Sequence, residues 1–239
     1  MQHVKIIDVR VLIWILSALM LYPLAAAQEQ RKFSFQHFST ADGLVSNQVN
    51  SIVQDQDGYL WIGTTDGLQR YDGIRHYTFR YQPGAKNALP ANAIAKLLYD
   101  KKNRLWLLMA NGQTGIFDTK KFLFYDATLK AGDLGTKIRQ SKNIFMDELG
   151  GIFLLLESKE LFRWDEYGKE FIPAFSFLKQ DHDWRIESFV HEPGSKKYWM
   201  GLYGGSFIVY NAETQNLSSP GHNIEDERLI DYYANVKTP

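Results

Sequence analysis

The six histidines, His3, His37, His76, His182, His191 and His222, are where a metal site or a general base would first be sought. No two stand four residues apart, the spacing that sets two imidazoles on one helix face for zinc. His191-Glu192 lacks the second histidine of such a pair. Asp181-His182-Asp183 gathers two carboxylates about one imidazole, but it lies in a polar stretch between structured units. Asp55-Gln56-Asp57-Gly58 offers the clustered oxygens a hard cation needs. Setting Gly58 at the sixth place of a calcium loop, however, puts Val53 first and Thr64 twelfth, where acidic ligands are required. The segment therefore reads as a turn, with Asp capping its own backbone and Gly admitting positive φ.

Catalytic groups are equally hard to find. The chain has no cysteine, so there is no thiolate nucleophile, disulfide framework or cysteine zinc site. It contains neither a G-x-S-x-G elbow nor a G-x-x-x-x-G-K phosphate loop. Glycosidase-type carboxylate pairs are defined by a separation in space of roughly 5 to 9.5 Å, and 27 acidic residues offer many combinations without selecting one. Asp66 and Asp72 lie beside turns and read as solvated surface. The expectation is no catalytic residue, no cofactor and no metal, with the ligand-binding residues unassigned. Aromatic rings stack on sugars when exposed and pack when buried. Trp61, Trp106 and Trp199 recur in register and are expected to pack between structural units. Trp184 and Tyr203 fall outside the repeated places and are the better candidates for touching a ligand.

The elements that would position these residues repeat. Trp61, Trp106, Phe153 and Trp199 lie 45, 47 and 46 residues apart. Asp55, Asp100 and Asp147 keep the same distance ahead of the first three. Tyr71-Asp72, Phe117-Asp118, Trp164-Asp165 and Tyr210-Asn211 close the strand that follows. Within the clearest unit, Asn47 to Phe79, strand-length apolar runs are bounded by Asp, Asn and Gly, which reads as four short strands and not as helices. Four-stranded units at this period are the sequence mark of propeller blades. The predicted fold is all-β, with blades at about residues 47–80, 91–126, 141–173 and 185–218. Leu229 to Tyr233 is expected to begin a fifth blade spanning 224–239. Phe33 to Phe38 resembles a last strand without its first three, so the ring is expected to be incomplete and the chain a truncation or fragment.

Composition agrees. Aromatic residues make up 14% of the chain and favour strands. Basic and acidic residues both number 27, so no net field draws a polyanion, and nucleic acid is not an expected partner. Lys5 and Arg10 precede an apolar run from Val11 to Leu24, and Ala25-Ala26-Ala27 follows. This is a signal-peptide layout over residues 1–27 with cleavage after Ala27, leaving residues 28–239 exported to the periplasm. The run is shorter than the roughly 20 residues that span a bilayer.

Asn47 through Phe79, with its Asp-x-x-Gly-x-Leu-Trp-Ile-Gly-Thr-x-x-Gly-Leu core, resembles the two-component regulator propeller repeat. Phe35 to Leu44 resembles the lead-in to the mature part of such sensors. The third repeat departs most, with Phe153 in place of Trp and Leu155-Leu156 in place of Gly-Thr. The resemblance implies the N-terminal periplasmic part of a hybrid sensor that recognises glycan breakdown products and signals through a kinase core absent from this chain. The partners it implies are an oligosaccharide and a second copy of the chain, with the membrane reached only through downstream segments. Two other readings use the same repeats: a free-standing secreted propeller that binds protein or carbohydrate, and a propeller glycosidase or lyase with convergent carboxylates or a metal at a central channel.

Overall fold

The computed structural model describes residues 10, 14, 35, 37–100, 102–131, 134–138, 140–175 and 184–235. All of the expected signal peptide but residues 10 and 14, the whole of Asp181-His182-Asp183, and half of the lead-in strand Phe33 to Phe38 lie outside them. The chain divides after His37, and the unit Phe38–Pro239 carries the fold. Among the described residues no helix is long and apolar enough to cross a membrane.

Four sheets follow one another, each built on four antiparallel strands. Blade 1 is β1 (Val49–Gln54), β2 (Leu60–Thr64), β3 (Gly67–Tyr71) and β4 (His76–Phe79), paired in chain order. Blade 2 is β5 (Ile94–Tyr99), β6 (Arg104–Met109), β7 (Thr114–Asp118) and β8 (Leu123–Asp126), likewise in order. The chain then makes a hairpin, β9 (Thr128–Ala131) and β10 (Leu134–Lys137), which no repeat in the sequence signals. Blade 3 is β11 (Ser141–Met146), β12 (Ile152–Leu156), β13 (Leu161–Asp165) and β14 (Glu170–Pro173). The hairpin joins its outer edge through a parallel pairing of β9 with β14, and so covers an edge that would otherwise present unpaired backbone. Blade 4 is β15 (Ile186–His191), β16 (Lys197–Leu202), β17 (Phe207–Asn211) and β18 (Asn216–Ser218).

Period-2 alternation gives each sheet two faces, and wherever another blade lies alongside, the facing sides pack together. Leu105, Leu107 and Met109 of β6 share a cluster with Trp61 and Leu68 of blade 1. Trp106 and Leu108 of the same strand face the other way, into a cluster with Ile144, Leu154 and Trp164 of blade 3. Phe153 and Leu155 pack with Phe189, Met200 and Ile208 of blade 4. Each cluster joins consecutive blades, and among the described residues none joins the fourth to the first. Trp61 and Trp106 are fully buried, as their register requires. Trp199 departs from that expectation. It is half-buried, belongs to none of the three clusters, and rests on Phe207 at 5.4 Å between ring centroids. Its side of β16 is the outward face of blade 4, where no fifth blade lies over it among the described residues.

The segment read as the start of a fifth blade is a helix, α1 (Arg228–Asn235). A strand needs a second backbone beside it, whereas a helix satisfies its N–H and C=O groups internally. The pattern Leu229, Ile230, Tyr232 suits either period. In the helix Ile230 is buried at 1% exposure, while Leu229 and Tyr232 are half or more exposed. The approach to α1 is fastened to blade 4 by Glu225, which accepts from Asn211 and Asn216, and by the Lys197–Glu227 ion pair.

Candidate functional site

The recurrent Asp is a structural device. Asp55 accepts from the backbone N–H groups of Asp57 and Tyr59 and from Trp61 Nε1, the last at 2.7 Å. Asp100 repeats this with Lys102, Arg104 and Trp106 Nε1. One carboxylate closes the turn and anchors the indole that packs between blades. The Phe153 side chain has no N–H to donate, and the corresponding Asp147 accepts instead from Tyr198 Oη of blade 4 at 3.2 Å. Burial first, and then the Asp147 charge, push the Tyr198 phenol up to about 12. Both Asp55 carboxylate oxygens are thus spent on backbone and indole donors, as a turn at Asp55–Gly58 requires.

Asp66 and Asp72 also hold structure. Asp66 pairs with Arg80 at 2.6 Å and accepts from Asn92. Asp72 accepts the N–H groups of Arg75 and Ile74, which hold its carboxyl below the usual range. His76 lies flat on Tyr71 with centroids 4.5 Å apart, and His191 stands 4.7 Å from Tyr198. Among the described residues no group of three or more His, Cys, Asp or Glu side chains is placed to hold a metal ion.

Trp184 and Tyr203, far apart in sequence terms and both outside the repeat, come together. The turn from β16 to β17 runs through Tyr203-Gly204-Gly205-Ser206, its two glycines at φ +93° and +87°, where a side chain would be strained. Leu202 N–H donates to Ser206 O, and Tyr203 N–H donates to Arg185 O at 2.8 Å, tying the turn to the segment that enters blade 4. The result is a cleft of about 360 Å³ lined by Trp184, Arg185, Leu202, Tyr203, Ser206 and Ser219, together with Pro220. Trp184 is half-buried and packs on the blade 3–4 cluster. Tyr203 is 71% exposed, and the Arg185 guanidinium stands 6.0 Å from its ring centroid. Two rings, a guanidinium and the hydroxyls of Tyr203, Ser206 and Ser219 make a surface able to stack on one side of a small polar molecule and hydrogen-bond its rim.

A second polar arrangement was not legible in the sequence. Each first strand carries a bulge at the same place, between Val49 and Ser51, Ile94 and Lys96, Ser141 and Asn143, and Ile186 and Ser188. Bulges re-aim side chains, and these strands stand side by side, β1 by β5 and β5 by β11. Asn50 Nδ2 donates to Ile94 O, Ser51 Oγ accepts from Leu97 N–H, Lys96 donates to Asn143 Oδ1, and Lys142 pairs with Glu187. Lys159 reaches the same Glu187. Lys142 and then Lys159 hold the Glu187 carboxyl below its usual range. The only sequence signal for this ladder is polar residues on strands whose partners are apolar, which solvent-facing positions also produce.

The four-bladed geometry and the repeated Asp–Trp anchor coincide with a family match. Residues 43–66 match the two-component regulator propeller family. A 55-residue stretch is 40% identical to histidine kinase P4 of Formosa agariphila, covering 23% of this chain and 4% of that protein. The chain also resembles two solved extracellular domains from B. thetaiotaomicron. One, from a protein assigned to a hybrid two-component system, BT3049, is 17% identical with a TM-score of 0.61. The other, assigned to a one-component system, BT4673, is 21% identical with a TM-score of 0.59. Each likeness covers 79% of this chain and 27% of that one. At these identities the likeness is one of fold. The chain spans about a quarter of the length of the solved domains and a small fraction of the curated kinase.

Proposed function

We propose that the chain is the N-terminal, periplasmic part of a ligand-sensing propeller in a hybrid two-component sensor, and that the ligand is a glycan breakdown product. The observation that carries the reading is the regulator-propeller repeat at residues 43–66. The identity with a histidine kinase over 55 residues and the signal-peptide layout of residues 1–27 support it. The ligand contact is assigned to the Trp184–Tyr203 cleft, because paired rings with a cation and hydroxyls at the rim suit the alternating apolar and polar faces of a sugar. Binding carries no chemistry of its own here; it would bias the arrangement of blades that the rest of a sensor reads.

The test is an oligosaccharide array probed with the full chain and with Tyr203→Ala. Saturable binding that falls at least tenfold in the variant, with an unchanged circular dichroism spectrum, is expected. Binding of no glycan would overturn the ligand class, and binding indifferent to Tyr203 would overturn the site.

A further inference from the structure

An ammonium withdrawn from water is normally kept beside an opposite charge, since its desolvation is otherwise uncompensated. Among the described residues four lysines are half-buried: Lys96, Lys142, Lys159 and Lys197. Lys142 and Lys159 end on Glu187, and Lys197 on Glu227. Lys96 is different. Its Nζ donates to Asn143 Oδ1 at 3.0 Å and stands 5.0 Å from the centroid of the Phe145 ring, and neither partner carries a charge. Burial holds its pKa below the ordinary lysine value, with no carboxylate to raise it.

Lys96 opens on a groove of about 310 Å³ between the first strands of blades 2, 3 and 4. Leu98 of β5, Phe145 and Met146 of β11, and Val190 of β15 line it, and Met146 and Val190 are 41% and 59% exposed. By strand register, Lys96 is level with Asn143, while Met146 and His191 lie three residues further along. His191, 8% exposed at that far end, has no hydrogen-bond partner at either ring nitrogen. Glu148 also borders the far end, where its Oε2 accepts from Gly194 N–H. The groove is therefore polarised, with an uncompensated cation at one end, an apolar wall along its length and a carboxylate at the other.

We propose that this groove binds a small organic carboxylate, with the anionic group on Lys96 and the carbon body laid against Phe145 and Val190. Glu148 disfavours the reverse orientation. A sugar acid and an aliphatic or aromatic acid share this chemistry. The site is distinct from the Trp184–Tyr203 cleft and does not rest on the glycan reading.

The full chain, immobilised so that self-association does not interfere, is titrated with glucuronate and with benzoate, each against its neutral counterpart, glucose or benzyl alcohol. At least one acid is expected to bind saturably and its neutral counterpart at least tenfold more weakly. Lys96→Met is expected to lose at least tenfold in affinity, whereas Lys96→Arg, Lys121→Met and Tyr203→Ala retain it. Glucuronate alone as the binder makes the ligand a sugar acid; benzoate alone makes it a non-sugar acid. Amine labelling of the wild-type chain, read by mass spectrometry, supplies a check that needs no variant: the bound acid must slow modification of Lys96 and not of Lys121. Absence of saturable binding by both acids, or unchanged affinity in a folded Lys96→Met chain, or no protection of Lys96, overturns the proposal.

Discussion

Asp100 is 2% exposed and accepts four hydrogen bonds, from Lys102 N–H, Arg104 N–H, Arg104 Nε and Trp106 Nε1. Asp100→Ala leaves the buried indole and the turn amides without an acceptor, and each such orphan costs about 1–3 kcal/mol. Urea unfolding should show a loss of about 3 kcal/mol or more, and a loss below about 1 kcal/mol would mean that water takes over the bonds. Glu166 gives a pH-dependent effect. Arg104 beside it holds its carboxyl down at about 2, against 4.5 for a free glutamate. The folded chain thus binds this proton less readily than the unfolded chain does. The associated stability is present above about pH 4.5 and is lost as pH falls towards about 2. Glu166 is about a third exposed, so the effect is small. Glu166→Gln should flatten the acid limb of a stability-versus-pH profile, and an unaltered limb would assign acid sensitivity elsewhere. The Asp–Trp spacing was legible because it recurs; the Asp147–Tyr198 bond was not, because it crosses between blades.

Among the elements, the interfaces depend on missing side chains as much as on bulky ones. A Cβ at Gly63 would stand 2.8 Å from Ile94 Cγ2 and 3.2 Å from Leu97 Cγ, both on the neighbouring blade. Gly63→Val should push blades 1 and 2 apart and lower stability by about 1–3 kcal/mol, the usual range for overpacking. A thermal melt unchanged within error would show that the interface can yield. The sequence carries a mark of this close approach in Gly63, a residue without a side chain two places after Trp61. It did not announce the β9–β10 hairpin, whose residues carry no repeat, nor α1, whose apolar spacing fits a strand equally well. In both cases the deciding influence is what lies alongside: an open outer edge at β14 for the hairpin, and, among the described residues, no pairing strand beside the helix.

For the molecule as a whole, equivalent positions meet different fates. Val53, Leu98, Phe145 and Val190 pair with Trp61, Trp106, Phe153 and Trp199 respectively, so each shares its partner's face. The first three pack into inter-blade clusters, whereas Val190 is 59% exposed. Ile52, on the opposite outward face of blade 1, is 56% exposed. Apolar faces shaped to receive another blade promote self-association when bare. The chain alone should form concentration-dependent oligomers in light scattering, and Val190→Lys combined with Ile52→Lys should reduce them at least severalfold. A wild-type chain that stays monodisperse and melts cooperatively would contradict this.

The sequence by itself determined the blades, because a blade is a local object. Its strands are consecutive, its turns are written in Asp, Asn and Gly, and its period repeats. It also marked Trp184 and Tyr203 as rings outside the repeated aromatic places. Only the tertiary structure decided that these two share a cleft, that Trp199 is half bare, and that Lys96 lacks the carboxylate its buried counterparts have. Those properties belong to pairs of blades, and the neighbour of a side chain across a blade interface is set by bulges and register some 45 residues away, which no local pattern encodes.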